Sequence, residues 1–213
     1  MASRAMRFWK WRLLKQRAVA GCLAAVLKTV DPKIDTFWHI GIGGGDDLTA
    51  IHAAFPDAKH IGVDPISDHD LLGWCFSVAA WRSAGTIPFY DRGVSSSVFR
   101  VNGPEGTQRD VPCDTLDAIS RLVPAAKRIA ICMDCEGAEL AVLEGAQNLL
   151  AITSAITIEL CHGRPRAIDR EEWPRALTVI AKLEEYGFGL LIEIGKVGRR
   201  PRVDAVFVRR DLH

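Results

Sequence analysis

The sequence predicts an α/β fold: a mostly parallel, twisted sheet with helices on both faces and one antiparallel strand at its C-terminal end. Three observations carry this. Short apolar runs (Thr36–Ile42, Lys59–Val63, Arg128–Met133, Ser154–Leu160) alternate with helical patterns. The runs are apolar throughout, as in strands covered on both faces. The last two, Phe188–Ile194 and Val203–Val208, are joined by the basic turn Gly195–Arg202, too short for a helical crossover, so they should pair antiparallel.

The elements follow in order. Residues 1–30 read as a basic amphipathic helix, set apart from a domain at 31–213. Arg4, Arg7, Lys10, Arg12, Lys15 and Arg17 are interleaved there with Phe8, Trp9 and Trp11, which leaves room for peripheral contact with an anionic membrane surface. The apolar run Ala18–Leu27 is far shorter than the ~20 residues of a membrane span. Asp46–Phe55 is helical, with Leu48, Ile51, Ala54 and Phe55 on one face and Pro56 as its stop. Asp70–Ser83 reads as a second helix, from the spacing of Leu71, Leu72, Cys75, Val78, Ala79 and Arg82. Gly85–Tyr90 is a strand, Asp91–Ser97 a small-polar loop, Val98–Val101 a short strand and Asn102–Gly106 a turn. Thr115 or Asp117 caps a helix to Val123. Gly137–Leu150 is the clearest helix, striped by Leu140, Leu143, Ala146 and Leu149, and Glu171–Tyr186 is the last.

Composition narrows the function classes. With 213 residues, 48% hydrophobic and 25% charged, the chain can bury a full core. A net charge of +1 gives no electrostatic case for a nucleic-acid partner. Six scattered cysteines fit reduced thiols of a cytoplasmic protein. Cys132 and Cys135 lack a second pair to complete a zinc site, so packing is the better reading.

Two stretches carry chemistry. Thr36–Asp47 (TFWHIGIGGGDD) reads as strand, glycine turn and helix start. Gly41, Gly43 and Gly45 let the backbone bend and a ligand come close. Asp64 lies 19 residues beyond Gly45, where an acid grips a ribose in nucleotide-binding α/β folds. The helix after the glycines opens with Asp46 and Asp47. Two carboxylates would repel a pyrophosphate but suit S-adenosylmethionine (SAM), which carries a sulfonium and an ammonium and no phosphate. Tyr90 and Tyr186 are followed four residues later by Val94 and Leu190, not by the Lys a short-chain dehydrogenase needs. The second stretch is Ile131–Gly145 (ICMDCEGAELAVLEG). Asp134, Glu136 and Glu139 stand where a central strand turns into a helix, at the sheet edge that binds ligands. Three close carboxylates call for a cation or a shared proton.

On these residues the chain resembles the FkbM family of SAM-dependent methyltransferases. The motif D-C-E-G-A-E-L-A-V-L-E-G from Asp134 to Gly145 is similar to the family's run after its fourth strand, and Thr115-Leu116-Asp117, Asp64-Pro65 and Ile158-Glu159 match further motifs. The resemblance implies a Rossmann-like class I methyltransferase fold, SAM as cofactor, and O-methyl transfer to a hydroxyl of a sugar, glycan or polyketide-like molecule. It places His39 where the family has an acid, so Asp46 or Asp47 would take over the methionine ammonium. Cofactor contacts are then expected from His39, Gly41, Gly43, Gly45, Asp46, Asp64, Pro65, Ser95 and Asp134. General-base candidates at the carboxyl ends of the fourth and fifth strands are Asp134, Glu136, Glu159 and His162. Asp134 and Glu159 could together hold a divalent ion, but the metal-free reading is preferred. The competing readings are a non-catalytic partner subunit of methyltransferase shape and an NAD-binding module.

Overall fold

The computed structural model describes residues 18–66, 69–93, 95–100, 106–162, 174–195 and 202–212. The described elements begin with helix α1 (18–30) and strand β1 (Thr36–Ile40). Helix α2 (Asp46–Ala54), β2 (Lys59–Val63), β3 (Trp74–Phe76), β4 (Ala79–Ala80), β5 (Gly85–Asp91) and β6 (Thr107–Asp114) follow. Helix α3 (Leu116–Ile119) runs into a 3-10 turn, Ser120–Leu122, before β7 (Ile129–Met133). The remainder is α4 (Glu139–Glu144), α5 (Gln147–Ala151), β8 (Thr153–Cys161), α6 (Ala176–Glu185), β9 (Phe188–Gly195) and β10 (Arg202–Arg209).

The main sheet has seven strands in the order β3-β2-β1-β7-β8-β10-β9. β10 alone runs antiparallel, to β8 on one side and β9 on the other, which is the arrangement read from the sequence. Side chains of β1 alternate between two cores, because successive Cβ atoms of a strand point to opposite faces. Trp38 and Ile40 join the layer packed under α4, α5 and α6, while Phe37 joins α1 and α2 through Leu23, Leu27, Ile51 and Phe55. Trp38 and Phe37 are both fully buried; each removes a large apolar surface from water, roughly 1.5–3 kcal/mol or more per side chain.

Register places the site. Ile40 pairs with Val63 on β2 and with Met133 on β7, and Met133 pairs with Ile158 on β8. The next residues along these strands, Gly41, Asp64, Asp134 and Glu159, therefore stand level at one carboxyl edge, Glu159 still within β8. Backbone bonds fix this level: Gly41 N–H donates to Val63 O (3.0 Å) and Asp134 N–H to Ile40 O (2.9 Å).

Several elements differ from the sequence reading. Asp70–Ser83 is not a helix: Trp74-Cys75-Phe76 extends the main sheet beside β2, and Ala79-Ala80 starts a separate three-stranded sheet, β4-β6-β5. Gly73 interrupts the helical stripe, and the aromatic run after it satisfies its backbone on the open edge of β2. β6 adds a strand at Thr107–Asp114 that the sequence reading leaves unassigned. The strand expected at Val98–Val101 does not form at the described residues 98–100; the isolated bridge nearby joins Tyr90 to Ser97, just before it. The helix expected over Gly137–Leu150 is two helices, broken at Gly145, where a Cβ would lie 2.1 Å from the Trp81 carbonyl oxygen. The basic residues up to Arg17, Arg199 and Arg200, and most of the turn at Asn102–Gly106, lie outside the described residues.

Candidate active site

At the carboxyl edge, the chain after β1 turns on glycines. Gly41, Gly43 and Gly45 have φ of 78°, 51° and 71°, a region L side chains rarely adopt. At Gly41 space forbids a side chain as well, since a Cβ would sit 2.0 Å from the carbonyl oxygen of Asp134. Asp64 splints this turn to β2: its Oδ2 accepts from Ile42 N–H and its Oδ1 from Ile66 N–H, both at 2.9 Å. A carboxylate has roughly four acceptor positions, so hydroxyls of a ligand can still be bound.

The turn forms one wall of an open cleft. Gly41, Gly43, Asp64, Pro65, Ser96, Asp134, Cys135 and Glu136 line its polar side, and Ile66, Ala79, Ala80, Phe89 and Val98 its apolar side. Among the described lining residues there are three carboxylates and no Lys or Arg. That chemistry fits SAM: an apolar shelf for an aromatic base, an acid at the ribose position, and negative charge for the sulfonium and ammonium. It opposes a pyrophosphate.

A second group of residues adjoins this cleft. Asp134, Glu136 and Glu159 bring carboxylate oxygens within 4.8 Å of one another. Arg202, at the start of β10 and level with Cys161, reaches in between. Its Nη1 donates to Glu136 Oε1 (3.0 Å) and Glu159 Oε2 (2.5 Å), and its Nη2 to Glu136 Oε2 (2.5 Å). This forked, charge-assisted geometry suits a guanidinium. Glu136 has φ 48°, the single non-glycine residue among those described with positive φ. Such a backbone costs about 1–3 kcal/mol and persists only where its surroundings enforce it. Ser97 Oγ–H donates to the Glu136 carbonyl at 2.8 Å, and Arg202 holds its carboxylate. Behind them a small crevice is lined by Glu136, Glu139, Glu159, Cys161, Val179 and Arg202.

Crowding shows in the acidities. Asp134 is exposed on the side of the cleft. Desolvation on its protein side, then the charges of Glu159, Glu136 and Asp47, raises its pKa well above the ordinary value, with Arg202 opposing. Burial pushes Glu159 up to about 7 despite Arg202, and the carboxylates of Glu136, Asp204 and Glu139 add to it. Burial likewise pushes Glu139 up to about 7, although its Oε1 accepts from Gly137 N–H at 3.0 Å.

The other expected residues fall elsewhere. His39 is buried beneath the turn, its Nε2 3.0 Å from His60 Nδ1, and it does not line the cleft. Burial, then His60 and His69, lowers its pKa to about 3, so it is a neutral core histidine. Gly45 packs against the His69 ring, where a Cβ would lie 2.6 Å away. Neither Gly45 nor Asp46 is among the cleft-lining residues, and Ser96 lines it in place of Ser95. His162 Nε2 pairs with Glu193 at 2.8 Å and lines neither cavity. Arg202 was grouped by the sequence with a basic turn; the structure places it in the site. Its only sequence signal is a cation at the head of the strand that returns beside Glu159.

The model of the methyltransferase FkbM domain matches residues 61–190, more than half of the chain. The chain belongs to the FkbM methyltransferase family. This FkbM-family chain is accordingly a SAM-dependent methyltransferase, and both the glycine turn and Arg202 lie outside the matched segment. Comparison with curated proteins gives no match. Solved structures similar to the FkbM-family chain include magnesium protoporphyrin IX methyltransferase from Synechocystis PCC 6803 with bound SAM. It is 10% identical, with 91% of this chain and 79% of that chain covered and a TM-score of 0.49. The N-terminal domain of EvdMO1 with bound S-adenosylhomocysteine (SAH) is 10% identical, with 89% and 80% covered and a TM-score of 0.48. The plantazolicin methyltransferase BpumL in complex with SAH is 11% identical, with 98% and 92% covered and a TM-score of 0.47. These TM-scores are below 0.5, and the family assignment stands on the sequence match.

Proposed function

We propose that this methyltransferase transfers a methyl group to a hydroxyl of a neutral sugar, glycan or polyketide-like small molecule, with Asp134 as general base. The observation that carries this reading is the position of Asp134. It directly follows the central strand β7, opens onto the cleft beside Gly41, and makes no side-chain hydrogen bond among the described residues. Glu136 and Glu159, by contrast, are both held by Arg202. Gly41, Gly43, Asp64 and Pro65 would hold SAM, with Ile66, Phe89 and Val98 against its base. When bound, SAM supplies an electrophilic methyl on a sulfonium. The chain's part is to hold the acceptor oxygen in line and to accept its proton at an Asp134 oxygen. A carboxylate whose pKa is raised is a better base for a hydroxyl than an ordinary Asp, at the cost of being protonated in acid.

The three carboxylates of the site outnumber its one guanidinium, which disfavours phosphorylated or carboxylated acceptors. A metal-free site is preferred because Arg202 already supplies the cation for two of the acids. The test is methyl transfer from SAM to a panel of neutral sugars and polyketides with Asp134→Asn as control. Turnover should fall about 10²–10⁴-fold while SAH affinity holds. Wild-type turnover in the variant, or no transfer to any hydroxyl by the native chain, would sink the reading.

A further inference from the structure

We propose that Arg202 is the positioning residue of the acceptor side: its guanidinium ties Glu136 to Glu159 and leaves Asp134 as the carboxylate that faces the acceptor hydroxyl. The inference rests on the reading of Asp134 as base. It begins from geometry. Glu136 lies in the turn after β7, Glu159 in β8 and Arg202 at the head of β10, so one fork closes three separate elements. The Arg202 side chain is 21% exposed, and its partners are 10% and 21% exposed, so this is not a solvated surface pair. Glu136 is held in a backbone conformation that favours glycine, clamped at its carbonyl by Ser97 and at its carboxylate by Arg202. Releasing the fork removes the grip that sets the Glu136 carboxylate beside Arg202, and the base then faces a less shielded like charge.

Every charged neighbour of the pair enters the expected response. Asp134 is faced by Glu159 from β8, Glu136 from its own turn, Asp47 from α2 and Arg202 from β10. Glu159 is faced by Arg202, Glu136, Asp204 and Glu139. Arg202 is the one cation among these neighbours, so its charge favours the ionised base. A lysine would retain that charge but could not make the two-pronged grip on Glu136.

The experiment is a carboxyl-carbon NMR titration of the full chain labelled at Asp and Glu. The Asp134 signal is identified by its loss in Asp134→Asn. Arg202→Gln should move its titration about one unit to higher pH. Arg202→Lys, which keeps the charge but releases the fork, should move it in the same direction. Glu136→Gln, which removes a like charge without removing the cation, should move it to lower pH. The proposal is overturned if Arg202→Gln leaves the titration in place, or if Arg202→Lys titrates as wild type, since charge without the fork would then suffice. If Arg202→Gln fails to fold, the Lys and Glu136→Gln variants decide: an upward shift in the Lys variant with a downward Glu136→Gln shift supports it, and any other pair overturns it. Loss of the base reading is seen separately, as undiminished turnover by Asp134→Asn.

Discussion

At the scale of single residues, Glu139 gives a prediction that does not depend on the acceptor. It is buried at the start of α4 and its pKa is pushed up to about 7 from an ordinary 4.5. The folded chain therefore binds more protons at this site than the unfolded chain between those two values. Stability from this group is full below pH 4.5, is lost as pH rises toward 7, and is flat above. The shift corresponds to a loss on the order of 3 kcal/mol. Glu139→Gln keeps an oxygen for Gly137 N–H but cannot ionise. Urea unfolding should find the variant as stable as wild type at pH 4 and more stable by about that amount at pH 8; a difference between the two that does not change with pH would refute the assignment. Residues of this kind were only partly legible. Asp134, Glu136 and Glu159 stood out because acids ended apolar strands. Arg202 did not, because its partners lie 66 and 43 residues away in sequence and only the antiparallel return of β10 brings them together. His39 was expected at the cofactor from its motif position alone, while strand alternation turns it toward Phe37 and His60 in the core.

At the scale of elements, the Thr115-Leu116-Asp117 motif is explained by helix ends rather than by chemistry. Thr115 Oγ1 caps α3 by accepting from Ala118 N–H at 3.1 Å. Asp117 then serves α5: its carboxylate accepts from Asn148 N–H (3.0 Å), Leu149 N–H (2.9 Å) and the Asn148 side-chain amide (2.9 Å). These orphan amides exist because the helix breaks at Gly145, where the Trp81 carbonyl leaves no room for a side chain. Asp117→Ala should cost about 1–2 kcal/mol by chemical denaturation and leave SAH affinity unchanged; a large loss of affinity would mean that the motif reaches the site. The break was invisible in sequence, since the stripe of Leu140, Leu143, Ala146 and Leu149 continues across it. So was the true state of Asp70–Ser83, whose helical spacing yielded to an unpaired sheet edge. Long parallel strands were legible because burial on both faces leaves them uniformly apolar. Short strands that finish an edge carry no such mark.

At the scale of the whole molecule, the cleft joins the two sheets: Gly41, Asp64 and Asp134 come from the large one, and Ala79, Ala80 and Phe89 from the small one. A ligand filling it should hold the small sheet against the large one and stabilise the fold as a unit. Binding to the folded chain alone adds RT ln(1 + [L]/Kd), about 2.7 kcal/mol at a hundredfold excess over Kd. For a domain of this size each kcal/mol raises Tm by roughly 2–4 °C, so SAM and SAH should each raise Tm by about 5–10 °C at that excess. NAD should not, because its pyrophosphate would face Asp64, Asp134 and Glu136 without a lining cation. Hydrogen exchange should slow together at residues 41–43, 64–66 and 95–98, which belong to or adjoin the cleft wall. It should be unchanged in β9 at the far edge, where Leu190, Leu191 and Ile192 stay exposed. Stabilisation by NAD equal to that by SAM would show that the acids of this cleft do not select the cofactor, and protection confined to the large sheet would show that the small one is no part of its binding.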